Sequence, residues 1–398
     1  MRVLLSVSGT RGDLEPALGL AMALREFGVQ VRICAPPNFE RRCAELAVPL
    51  VPVGPPTPGS DGVWASPAQL SDHAEQWPTA QFDTVPAAAA GCDAVVATGI
   101  GEIAARSAAE KRGIHYQFVS YQPTSLPSPH HPPMPRMPGE RAAPAEIGNR
   151  VQWEIDALGW DAEYRVTMET RRAALGLAPP GGVRDHVITD RPWLAADPVL
   201  GPWPSSPDLD VVQTGAWIVP DDRRLPAGLR DFLDAGTPPV YVGFGSMLVR
   251  HEIARSVIDA VRAHGRRVLL SRGWAGLGSL DDSSDCFTVG EVNHQALFPR
   301  VAAVVHHGGA GTTTTAARAG APQVLVPLMM DQSYWARRVA ALGIGSVCED
   351  SAVDPASLSD ALDIALASAT RARAIEVAGL IRADGATVAA KLLIEAIG

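Results

Sequence analysis

Short apolar runs recur along the chain, separated by stretches in which apolar residues return every three or four positions. Runs at 2–8, 30–35, 94–98 and 116–120 read as buried strands. The intervening 15–27, 38–46 and 102–112 carry helical spacing, as in Leu18, Ala21, Met22 and Leu24, with Gly28 as a helix stop. A second set follows, with strands at 240–244, 267–271, 284–289, 301–305 and 323–327. Its helices are read at 252–263, 296–298, 314–320 and 332–342, and the tail 355–397 is mostly helical. This alternation predicts an α/β protein made of two doubly wound halves. A proline-rich passage at 200–207 leads into a linker over 205–222, so the halves are read as 1–204 and 205–378. Two stretches break the pattern: Pro55–Trp77 and Gln122–Pro144, both dense in proline. Both follow strands, which places them as long loops at the C-terminal sheet edge, where open α/β sheets bind ligands.

The chain has 398 residues, enough for two domains of roughly 150–200 residues each. A net charge of −9 speaks against nucleic acid or an anionic membrane as partner, since both select a basic face. No apolar run approaches the ~20 residues of a transmembrane segment. The first apolar run stops at Gly9–Asp13 and reads as a strand, not a signal peptide. The cysteines (Cys34, Cys43, Cys92, Cys286, Cys348) are odd in number and contain no C-x-x-C pair. That pattern predicts reduced thiols in a cytoplasmic protein and no zinc site.

The most telling segment is His306-His307-Gly308-Gly309-Ala310-Gly311-Thr312-Thr313, set between an apolar strand and a helix. Glycines let a ligand approach the backbone, and the N–H groups of a first helical turn attract an anion. The two histidines and the hydroxyls add donors, and a diphosphate is the expected guest. The first loop, Gly9-Thr10-Arg11-Gly12-Asp13, has G-x-x-G spacing. No acidic residue ends the second strand, so NAD or FAD is not expected. Asp13 at the helix start fits either a capping role or a general base for an acceptor hydroxyl.

Gly243-Phe244-Gly245-Ser246 repeats the glycine turn at a strand end. The turn at Gly290-Glu291-Val292-Asn293-His294 suits hydrogen bonds to a pyrimidine edge, although His294 equally suits a helix cap. Asp331-Gln332 offers acceptors and an amide for adjacent sugar hydroxyls, with Asp331 as an N-cap the plainer alternative. Tyr334 and Trp335 read as core. His130-His131 lacks a third ligand for a metal site. Trp64, Trp77, Trp153 and Trp160 fall in or near the irregular parts of the first half, where they suit an apolar acceptor.

In this order the pieces resemble the GT-B nucleotide-sugar glycosyltransferases, above all bacterial enzymes acting on vancomycin- and teicoplanin-type glycopeptide aglycones. The likeness also runs through Cys34-Ala35-Pro36-Pro37, Ala195-Ala196-Asp197-Pro198, Gln213-Thr214-Gly215-Ala216-Trp217 and Leu270-Ser271-Arg272-Gly273-Trp274. The resemblance implies two Rossmann-like domains facing each other across a deep cleft, the first binding acceptor and the second donor. A closing helix within 379–398 would cross back to the first domain. A dTDP- or UDP-sugar would be held by Thr10, Arg11, Gly12, Ser246, Arg272, Val292, His307, Gly309, Gly311 and Thr312. Asp331 and Gln332 would grip the hexose or deoxy(amino)hexose. The loops Pro55–Trp77 and Gln122–Pro144 would bind the acceptor. Asp13 would be the base in a single inverting displacement without metal or other cofactor, in a monomer. Macrolide, aromatic polyketide or sterol acceptors are the alternatives for the first domain. A nucleotide-sugar epimerase would need no acceptor loops, and a non-catalytic sugar-nucleotide-binding protein would need no Asp13. Departures include Thr314-Thr315, where relatives often carry His-Val, and Met329-Met330 beside the sugar-gripping Asp.

Overall fold

A computed structural model describes residues 1–60, 66–134, 147–277, 283–348 and 355–398. The described chain divides into two compact units. In the first, strands β1 (Arg2–Val7), β2 (Gln30–Ala35), β3 (Leu50–Pro52), β4 (Ala94–Thr98), β5 (His115–Ser120), β6 (Trp193–Leu194) and β7 (Val212–Gln213) form one sheet. Its order is β3-β2-β1-β4-β5-β6-β7, with every pairing parallel. Helices α1 (Arg11–Glu26), α2 (Glu40–Glu45), α3 (Pro67–Ala88), α4 (Ala105–Arg112), α5 (Asn149–Ala174) and α6 (Val183–Ile188) accompany it.

The second unit spans Pro220–Ile381. Its strands are β8 (Val240–Gly243), β9 (Val268–Ser271), β10 (Cys286–Val289), β11 (Ala303–His306), β12 (Gln323–Leu325) and β13 (Gly345–Val347). They run parallel in the order β10-β9-β8-β11-β12-β13. The helices are α7 (Ala227–Asp234), α8 (His251–Ala263), α9 (His294–Leu297), α10 (Ala310–Arg318), α11 (Gln332–Ala341), α12 (Pro355–Leu366) and α13 (Ser368–Ala378). A final helix, α14 (Gly385–Ile397), belongs to the first unit, where Ala389, Ala390 and Leu393 join Leu14, Leu18 and Leu24 of α1 in the core. Each such leucine, fully buried, contributes about 1.5–3 kcal/mol of transfer free energy.

In each sheet the strand order reverses once, between β1 and β4 and between β8 and β11. Loops leaving neighbouring strands diverge at such a point and open a crevice at the C-terminal strand ends. The glycine loops read from sequence follow β1, β8 and β11, so all three sit at a switch point.

Three expectations need correction. The boundary placed at 204/205 falls inside the first unit, because β7 pairs with β6 and carries the chain in that unit to Val219. The loop expected over Pro55–Trp77 is helical from Pro67 onward: the Ser66 hydroxyl accepts from Gln69 N (3.2 Å) and the Gln69 amide oxygen from Ser66 N (2.8 Å). This capping box starts the helix, and prolines inside it, Pro78 and Pro86, masked the helical spacing in sequence. Trp153 and Trp160 are buried residues of the long helix α5, not parts of irregular chain. Trp64 and parts of both loop readings, 61–65 within the first and 135–144 at the end of the second, lie outside the described residues.

Candidate functional site

In the first unit the chain leaves β1 through Gly9, whose φ of +101° an L side chain rarely adopts, and enters α1 at its N-cap Thr10. The Thr10 hydroxyl accepts from Gly12 N (3.2 Å), and Asp13 Oδ2 accepts from Thr10 N at 2.7 Å. The Tyr121 hydroxyl donates to the Asp13 carbonyl at 3.1 Å, and the Thr57 hydroxyl to the Gly9 carbonyl at 2.7 Å. Asp13 is therefore both a capping residue and a half-buried carboxylate held in one orientation at the switch point. Arg11, expected on the donor, is ion-paired along the helix with Glu15 (3.0 Å), which Arg42 grips through two further contacts of 2.8 Å.

Behind this turn lies a residue that the sequence reading passed over. Glu102 follows Thr98-Gly99-Ile100-Gly101 after β4 and is 1 % exposed. The Ser6 hydroxyl donates to it, the Ser8 hydroxyl lies within hydrogen-bonding reach, and Gln81 Nε2 donates to its Oε1 at 3.4 Å. Burial pushes its carboxyl up to about 7 against these hydrogen bonds, with the Asp13 charge adding to the rise. An acid directly after a Gly-x-Gly strand exit was the available signal.

The described parts of the segments expected to bind acceptor are ordered by packing. Trp77 stacks on His73, centroids 5.7 Å apart, and Pro123–Ser125 form a buried 3₁₀ turn. Among the described residues, His73 Nδ1, Trp77 Nε1 and Thr124 Oγ1 are buried without hydrogen-bond partners. His131 sits edge-on to both Trp153 and Trp203 and is an aromatic-cluster residue.

In the second unit, loops from four strands converge. The loop after β9 meets the loop after β8, where Trp274 N donates to the Gly245 carbonyl at 3.0 Å. The His307 ring lies over Gly245, its Cε1 3.3 Å from where a Cβ would stand. It also covers Gly309, where a Cβ would come within 2.6 Å of Nε2, so only glycine fits there. Gly308 (φ +92°) packs on the Gln332 carbonyl, tying the glycine loop to the turn after β12. Ser246, Arg272, His307, Gly309, Asp331 and Gln332 are thus on mutually touching loops. Val292 lies half-buried after β10 at the same strand ends.

The two histidines divide their roles, which corrects the reading of both as donors. His306 is fully buried; its Nδ1 accepts from Gly308 N (3.1 Å), so Nε2 carries the proton and meets Gln323 Oε1 at 2.9 Å. It is a loop-holding residue, kept neutral by burial, which drives its pKa down to about 3. His307 is 9 % exposed, its Nδ1 has no partner among the described residues, and burial drives its pKa down to about 4. A neutral imidazole can donate one hydrogen bond, and an arriving anion would favour its protonation.

Gly309 caps α10, and Gly311 and Thr312 lie in its first turn. Thr313, Thr314 and Thr315 donate to the carbonyls of Gly309, Ala310 and Gly311 (3.0, 2.8 and 2.8 Å). Asp331 stands at the N-cap of α11 but makes no capping bond; its Oδ2 accepts from Trp335 Nε1 at 2.6 Å. Burial raises its carboxyl to about 6 while that hydrogen bond opposes the rise. Gln332 Oε1 accepts from Leu328 N (2.7 Å) and Met329 N (3.1 Å), which leaves only its NH₂ for a hydroxyl. Between them Met330 adopts a φ of +58°, strained for a side-chain-bearing residue. Asn293, not His294, caps α9, through Oδ1 to Ala296 N (3.0 Å), while His294 stacks on Phe298. Among the described residues no three His, Cys, Asp or Glu side chains converge as metal ligands, and no helix is long and apolar enough to cross a membrane.

Residues 3–120 match the model of the glycosyltransferase family 28 N-terminal domain, and 275–391 that of the erythromycin biosynthesis protein CIII-like C-terminal domain. The chain is 50 % identical over 403 residues to vancomycin aglycone glucosyltransferase of Amycolatopsis orientalis, covering 100 % of this chain and 98 % of that one. With dTDP-epi-vancosaminyltransferase of the same organism the identity is 47 % over 406 residues, at the same coverage. The crystal structure of the glycotransferase of kitacinnamycin superposes with a TM-score of 0.73 at 19 % identity, covering 99 % and 98 % of the two chains.

Proposed function

The chain belongs to the glycopeptide-antibiotic glycosyltransferases of the GT-B fold, and from that premise we propose how it works: an inverting, metal-independent sugar transfer from a dTDP- or UDP-hexose to a vancomycin-type aglycone. The arrangement of the second unit carries this reading. A helix N-terminus, two glycines and a buried neutral histidine adjoin a turn bearing Asp331 and Gln332. The diphosphate would lie on the first-turn N–H groups of α10, His307 and Thr312, with Ser246 and Arg272 approaching from the adjoining loops. Asp331 would accept from one sugar hydroxyl while the Gln332 NH₂ donates to the next. Val292 would meet the base.

In the transfer step, Asp13 takes the proton of the acceptor hydroxyl or phenol as its oxygen attacks the anomeric carbon. The bond from that carbon to the phosphate oxygen breaks with its electron pair on the diphosphate. The helix N-terminus and the imidazole stabilise the departing charge, the task a divalent metal performs in other transferases. One displacement inverts the anomeric centre. Thr10 and Arg11 complete the base's surroundings, and the segments after β3 and β5 line the acceptor side.

The test is a mass-spectrometric screen of dTDP- and UDP-sugars against glycopeptide, macrolide and polyketide aglycones, with the anomeric configuration of the product read by NMR. A glycopeptide product of inverted configuration is expected. Retained configuration, or transfer to the other aglycones only, overturns the reading.

A further inference from the structure

Glu102 is a buried carboxyl to which the reaction above gives no task. It lies at the β1/β4 switch point, gripped by hydroxyls from β1 and its exit (Ser6, Ser8) and by the Gln81 amide of α3. Gln81 also donates to the Gly101 carbonyl at 2.6 Å and accepts from Ala104 N at 3.2 Å, which fixes the loop that carries Glu102. Ser8 directly precedes the Gly9–Asp13 turn, and a Cβ on Gly101 would press within 2.7 Å of its hydroxyl. The Thr98 hydroxyl, which donates to the Ser6 carbonyl at 3.3 Å, closes the same cluster.

We propose that Glu102 is a positioning residue for the transfer reaction: it holds the β1 exit that presents Asp13, and its own charge sets the strength of that base. The proposal rests on Asp13 acting as the base. The ionisable groups facing Glu102 are Asp13 from α1, Cys34 from β2, and Tyr116 and Tyr121 from β5. Burial pushes the thiol up to about 12 and both phenols higher still, so none of these three gains charge around neutral pH. With burial holding the Glu102 carboxyl near 7, it passes from neutral to negative around neutral pH. A negative neighbour raises the proton affinity of the Asp13 carboxylate, and a stronger base withdraws the acceptor proton more readily.

The experiment compares kcat and acceptor KM across pH 5.5–9 for wild type, Glu102→Gln and Glu102→Asp, with identical donor and acceptor, so substrate ionisations are common to all three. Wild-type kcat is expected to gain roughly two- to fivefold between pH 6 and 8 beyond any step shared by the Gln variant. Glu102→Gln, which keeps the shape and hydrogen-bonding reach, loses that step; Glu102→Asp keeps it, displaced in pH. Acceptor KM stays within about twofold throughout. Profiles of the same shape in wild type and Glu102→Gln overturn the proposal, whatever the absolute rates. Should Glu102→Gln not fold, absence of the step from Glu102→Asp overturns it equally. A wild type that transfers no sugar at any pH condemns the glycosyltransferase reading instead, so the two failures are distinguishable.

Discussion

Trp335 Nε1 donates to Asp331 Oδ2 at 2.6 Å, four residues along one helix, with the indole fully buried. The core thereby fixes one oxygen of the Asp331 carboxylate, whose other oxygen meets a sugar hydroxyl in the proposed function. Trp335→Phe keeps the ring and deletes the N–H. The donor KM is expected to rise about five- to tenfold, with kcat changed much less. The donor hydrogen bond opposes the burial that holds Asp331 up at about 6, so its loss moves the carboxyl higher still. Donor KM should then worsen with falling pH from a higher starting point than in wild type. Steady-state kinetics at pH 5.5–8 check both; an unmoved pH break refutes the orienting role.

His307→Ala removes a buried imidazole whose Nδ1 has no partner among the described residues. Calorimetric affinity for dTDP or UDP is expected to fall about tenfold or more, the cost of one hydrogen bond to a charged group. Equal affinity would discredit the diphosphate assignment.

Asp13→Ala is expected to lower kcat by ~10²-fold or more with donor affinity nearly intact. The same change removes the reciprocal cap on Thr10 N, at about 1 kcal/mol of stability. Asp13→Asn retains an acceptor for that cap and separates the two effects: kcat falls while the urea midpoint stays near wild type. Unchanged turnover in both variants would remove Asp13 from the mechanism.

The Glu102 carboxyl has a folded pKa of about 7 against an ordinary 4.5. A raised value means that the folded state binds this proton more tightly than the unfolded chain does. The associated stability is present below pH 4.5 and is lost as pH rises through 7. At pH 8.5 the ionised group costs roughly 3 kcal/mol, the rise from 4.5 to about 7 at about 1.4 kcal/mol per pH unit. Glu102→Gln should therefore gain stability over wild type at pH 8.5 and much less at pH 5, as read by urea denaturation. A pH-independent difference would contradict this environment for Glu102.

EDTA should leave turnover intact, because helix N–H groups and an imidazole are assigned the leaving-group charge. Inhibition reversed by Mg²⁺ would show that a cation shares the task.

Much of this enzyme was legible as a string of residues. Strand periodicity and the glycine loops exposed both doubly wound halves, because a buried parallel strand must be apolar and a tight exit from it favours glycine. The helices α3 and α5 were hidden, the first by its prolines, and β6 and β7, two residues each, are too short for any period to show. Nor does local sequence separate His306 from His307. Their different fates come from Gln323 on the neighbouring strand and from Gly245 in another loop, both distant in sequence. The same holds for Asp13 and Asp331, each a plausible cap by position, of which one caps a helix and the other binds an indole. The sequence by itself determined the longer apolar strands, the doubly wound pattern they make and the kinds of group at the strand ends, since these depend on neighbours along the chain. Tertiary structure alone decided which of those groups are already paired within the protein, and that Glu102 lies buried near the Gly9–Asp13 turn. Desolvation and hydrogen-bond partnership arise only when remote segments meet.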